Sequence, residues 1–97
     1  MEVKIQAIHF DIADRLVEFI NKKAQRLTRR YDAITDIDVT LKVVKPETAM
    51  NKEAVIKAVA PQIEDIVATK TADSFEEAVD LALEAIERQL EKRCAKR

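Results

Sequence analysis

Val3, Ile5 and Ala7 alternate with Glu2, Lys4 and Gln6, the period of a strand with one buried face. Ile8 and Phe10 break that parity, so the strand is expected to end or bulge near His9. The period then changes. Leu16, Phe19, Ile20, Ala24, Leu27 and Tyr31 recur at three- and four-residue steps, which predicts a helix over about residues 12–30. Asp11 and Asp14 make a D-x-x-D signal at its start, a variant of the capping box. Residues 32–36 form a short turn. Ile37, Val39, Leu41 and Val43 then alternate with Asp38, Thr40 and Lys42 in the clearest strand of the chain. A polar loop from Lys45 to Asn51 contains Pro46, which cannot continue a strand ladder. A third strand is expected from Glu53 to Ala60, with Ile56 and two alanines on one face, ended by Pro61. A fourth follows from Asp65 to Thr71, with Ile66 and Ala68 as its inward pair.

The helical period returns in the last quarter. From Ser74 onward, Phe75, Val79, Ala82, Leu83, Ile86 and Leu90 trace one apolar face, and Ser74 is placed to cap the helix. Glu76 and Glu77 in the first turn, and Arg93, Lys96 and Arg97 near the end, match the helix dipole. At about 100° per residue, Asp80, Glu84, Glu87 and Glu91 fall on one flank of the stripe. Arg88, Lys92 and Lys96 fall on the other. A helix made only for solubility would intersperse its signs.

The expected order is β-α-β-β-β-α, an α+β fold over residues 1–97 as a single domain. The first helix joins strands one and two, so these are expected to be parallel neighbours. The later strands are close enough for antiparallel hairpins, and both helices pack on one face of a four-stranded sheet. With 47% apolar and 36% charged residues, the chain has the composition of a folded domain. No apolar run reaches the length of a membrane span and the N-terminus lacks signal-peptide character, so a cytoplasmic location is expected.

A net charge of −1 conceals segregation. Residues 14–30 carry six basic side chains (Arg15, Lys22, Lys23, Arg26, Arg29, Arg30) against Asp14 and Glu18. Residues 31–73 carry eight acids against five lysines. Arg15, Lys22, Arg26 and Arg29 gather on one flank of the first helix, with Lys23 and Arg30 nearer the stripe. A polyanion senses such distribution rather than the total; the bland alternative is a solvated face whose long side chains cover apolar edges.

Catalytic chemistry finds little support. Without glycine there is no phosphate-cradling loop. His9 reads as a strand-end residue and Cys94 as a reduced bystander thiol, and the two give no nucleophile–base pair. Metal-ligand spacing is missing, and the carboxylates fall on exposed faces. No enzyme, no cofactor and no small-molecule substrate is expected. With three Phe and one Tyr assigned mostly to the core, single-strand stacking platforms are poorly supported as well. A basic helical surface suited to the phosphates and shape of folded RNA remains.

Three segments carry a family resemblance: IQAIHFDIADRLVEFINKKAQRLTRRYD, IDVTLKV, and SFEEAVDLALEAIERQLEKR. In their order and spacing over essentially the full length, the chain resembles the ribosome hibernation-promoting factors. That family is also called ribosome-associated inhibitor A or sigma-54 modulation protein. The resemblance implies a fold similar to double-stranded RNA-binding domains, and binding to the small ribosomal subunit in the channel of messenger and transfer RNA. It implies translation inhibition in starved or stationary cells, with rRNA contacts from Lys22, Lys23, Arg26, Arg29 and Arg30 on the first helix. Arg88, Lys92 and Arg93 match the second helix's set. Ala85 and Glu91 stand where the family has or often has basic residues, and Ala7 and Ala60-Pro61-Gln62 replace glycine positions. The length matches a short form, without the dimerisation domain of long members. Two other readings stay open: a general structured-RNA-binding stress protein, and a protein adaptor using the acidic flank of Asp80, Glu84, Glu87 and Glu91.

Overall fold

A computed structural model describes residues 2–8, 11–44, 51–61 and 65–94. Its elements are β1 (Glu2–Ala7), α1 (Asp14–Arg30), β2 (Asp36–Val43), β3 (Lys52–Val59), β4 (Ile66–Ala72) and α2 (Phe75–Cys94). The strands form one sheet in the order β1-β2-β3-β4. β1 runs parallel to β2, with Val3 beside Ile37 and Ile5 beside Val39. β2–β3 and β3–β4 are antiparallel. The order, the parallel pair and the two helices match the expected α+β architecture.

Alternation decides what is buried. Ile37, Val39 and Leu41 of β2, Ala54, Ile56 and Ala58 of β3, and Ile66 and Ala68 of β4 all turn into the core. Leu16, Ile20, Ala24 and Leu27 of α1 meet them, as do Val79, Ala82, Leu83, Ile86 and Leu90 of α2. Each such large side chain is worth roughly 1.5–3 kcal/mol when fully buried. α2 lies across β3 and β4 and along α1. Alanines line that contact: Ala54, Ala58, Ala68 and Ala72 below, Ala78 and Ala82 above. Small side chains let helix and sheet approach closely. Ala78, fully buried, joins the stripe although its small side chain carries little periodic signal.

Local details depart from expectation in two places. The D-x-x-D signal does not cap α1: Ala13 holds the N-cap position and makes no side-chain cap bond, leaving Asp14 as first-turn charge only. β1 ends at Ala7 with one further bond, the Ile8 N–H donating to the Leu41 carbonyl at 2.9 Å, in keeping with the expected end near His9. β3 and β4 are each shifted by one residue from the expected spans. The Val44 N–H donates to the Asn51 carbonyl at 2.8 Å and starts the β2–β3 pairing one residue early. Ser74 behaves as expected, its Oγ accepting the Glu77 N–H at 3.2 Å. His9, the loop containing Pro46, and Lys96 lie outside the described residues.

Candidate nucleic-acid interface

α1 turns its apolar stripe to the sheet, which leaves its six basic residues on the remaining arc. The structure divides them. Arg15, Lys22, Arg26 and Arg29 are exposed. Among the described residues, none of these four has an ion-pair partner. At about 1.5 Å per residue, Arg15 to Arg29 spans about 21 Å of helix. The result is a ridge of uncompensated positive charge facing water.

Lys23 and Arg30 have a different environment. Lys23 Nζ lies 3.2 Å from Asp80 Oδ1 and 5.4 Å from the centre of the Phe19 ring. The Arg30 guanidinium donates to Glu87 Oε2, stands 3.6 Å from Glu91 Oε2, and packs over the Tyr31 ring. Both cations therefore pair with α2, although the Arg30 side chain stays exposed.

Lys23–Asp80 and Arg30–Glu87 share one sequence offset, so α1 and α2 run parallel and in register over two turns. Glu84 pairs instead with Arg88 on its own helix, 3.6 Å apart. Lys92 is exposed and has no ion-pair partner among the described residues; the Arg93 side chain lies outside them. On the acidic flank of α2, Asp80, Glu87 and Glu91 are thus paired with α1 cations while staying partly exposed.

Between the helices lies a shallow groove of about 310 Å³, with Leu27 and Leu83 at its base and Arg26 and Glu84 on facing sides. Across the surface the charges run in bands: the α1 ridge, the carboxylates of α2, then Arg88 and Lys92. Sequence reasoning identified every one of these side chains. Helical spacing already set Lys23 and Arg30 apart, nearer the stripe, but it could not give their pairing with α2, because spacing alone does not say which flank meets the other helix. Among the described residues, no group of three or more His, Cys, Asp or Glu side chains could hold a metal ion. No helix there is long and apolar enough to cross a membrane.

Known proteins share this fold. A "Ribosome hibernation promoting factor" of Azotobacter vinelandii is 27% identical over 90 residues, covering 93% of this chain and 79% of the relative. A ribosomal subunit interface protein from Coxiella burnetii superposes with a TM-score of 0.86 at 27% identity, covering 99% of this chain and 100% of that one. The N-terminal domain of Protein Y from Thermus thermophilus shares the fold, with a TM-score of 0.77 at 22% identity over 95% of this chain and 98% of that one. Residues 3–97 match the family described as Sigma 54 modulation protein / S30EA ribosomal protein, and the chain belongs to that family.

Proposed function

We propose that this protein is a non-enzymatic, cytoplasmic translation inhibitor that binds ribosomal RNA of the small subunit. It would occupy the channel of messenger and transfer RNA in starved or stationary cells. The observation that carries this is the α1 ridge, four exposed cations without an ion pair among the described residues. Lys and Arg free of intramolecular partners gain most from phosphate, since no existing pair has to break. Arg88 and Lys92 of α2 extend the surface, and the family resemblance adds Arg93. The relatives' printed names, a hibernation promoting factor and a ribosomal subunit interface protein, support the ribosome as the RNA.

Sedimentation of tagged protein through a sucrose gradient of stationary-phase lysate tests the assignment. Co-migration with small subunits and whole ribosomes is expected. Free protein at the top of a low-salt gradient, with ribosomes intact, would overturn it. Co-migration with other structured RNA instead would favour a general RNA-binding stress protein.

A further inference from the structure

Of the two α1 cations that pair with α2, Arg30 is the more exposed: 61% of its side chain against 32% for Lys23. It stands one turn beyond Arg26 of the free ridge, about 6 Å along the helix axis, and both residues line the groove between the helices. A phosphate seated on Arg26 is therefore within the span of the Arg30 side chain. Two carboxylates already hold that side chain. One terminal nitrogen of the guanidinium donates to Glu87 Oε2, and the other stands 3.6 Å from Glu91 Oε2. Neither Glu87 nor Glu91 pairs with another cation among the described residues. Carboxylate and phosphate accept from the same guanidinium N–H groups in the same geometry. A phosphate that takes Arg30 has to displace a carboxylate and leave its charge uncompensated close by.

We propose that Glu87 and Glu91 set how much Arg30 contributes to RNA binding. They compete with phosphate for its guanidinium and hold the affinity of the surface below what its cations allow. Magnitude decides what kind of control this is. The two carboxylate side chains are 31% and 53% exposed, and partly exposed pairs are individually weak. The competition therefore trims affinity severalfold and does not block binding. The inference rests on the RNA-binding function proposed above and concerns the regulation of that same surface.

A double-mutant cycle in binding affinity tests it, with purified small subunits as the probe. Glu87→Gln with Glu91→Gln removes both charges and keeps an amide oxygen beside Arg30. The two changes are made in the wild-type chain and again together with Arg30→Gln. Removing any two negative charges favours a polyanion, so only the difference between the two backgrounds counts. Affinity at low salt should rise about fivefold with Arg30 present, and about twofold or less without it. The slope of log affinity against log salt should steepen, by up to about 0.9, only where Arg30 is present, because one more phosphate is neutralised there. Circular dichroism checks folding; if the double carboxylate variant unfolds, Glu91→Gln decides alone, since it leaves the Glu87 contact in place. Equal gains in the two backgrounds overturn the inference, because the carboxylates would then act on the RNA directly. A loss of affinity on removing them overturns it as well, because they would then be orienting Arg30 toward phosphate. Wild-type protein that leaves small subunits unbound overturns the RNA-binding function itself, and this control with it.

Discussion

Lys23 on α1 and Asp80 on α2 form an ion pair at 3.2 Å across 57 residues of chain. Arg30 and Glu87 repeat the contact two turns later. Two helices running parallel place like ends of their dipoles side by side. Charge pairs along the seam offset part of that repulsion and set the register of one helix against the other. Both pairs are partly exposed, so their energies stay small.

A double-mutant cycle on Lys23→Gln and Asp80→Asn should give a coupling of about 0.2–1 kcal/mol by chemical denaturation. Coupling above about 3 kcal/mol would mean the pair behaves as a buried one, contrary to its exposure.

Charge reversal separates the two cation sets of α1. Lys22→Glu with Arg26→Glu alters the free ridge and barely changes helix propensity, so the fold should survive while small-subunit binding drops sharply. Lys23→Gln should cost less binding, because its ammonium already faces Asp80. Pull-down with small subunits at fixed salt, with circular dichroism alongside, reads both. Equal losses in the two variants would erase the distinction between free and paired cations.

Binding should also weaken steeply with salt. Five cations of the proposed surface, the four of the α1 ridge and Lys92, are free of ion pairs among the described residues. Releasing one counterion set per neutralised phosphate gives a slope of log affinity against log salt of roughly −3 to −5. Titration of fluorescently labelled protein with small subunits across salt concentrations measures it, and a slope near zero would rule out the electrostatic account.

Ile86 sits at the centre of the α2 stripe with no exposed surface, whereas Val67 on β4 is 51% exposed. Ile86→Ala should lower stability by roughly 2–5 kcal/mol. Val67→Ala should stay within about 0.5 kcal/mol. Urea unfolding of both proteins checks the contrast, and similar losses would mean that α2 does not close the core.

The start of α1 leaves stability unused. Ala13 occupies the N-cap without a side-chain acceptor, so Ala13→Asp should add about 0.5–2 kcal/mol. Ser74→Ala should remove a comparable amount, because its Oγ receives the Glu77 N–H. Thermal melts of the two variants should move in opposite directions.

Much of this protein could be read directly from the order of its residues. Ile37-x-Val39-x-Leu41 specifies a strand buried on one face, since alternation leaves no other way to hide three large side chains. The spacing of Val79, Leu83, Ile86 and Leu90 specifies a helix and its buried side for the same reason. Ser74 was legible as a cap because a cap is a contact within four residues. Ala13 was not, since the D-x-x-D signal names two acids and leaves open where the helix begins. Tertiary structure alone decided what the charges do. Periodicity assigns each side chain to a flank of its own helix, but only the parallel packing of α1 beside α2 determines which flank meets which. That packing engages Lys23 and Arg30 with carboxylates far along the chain, and leaves Arg15, Lys22, Arg26 and Arg29 facing water.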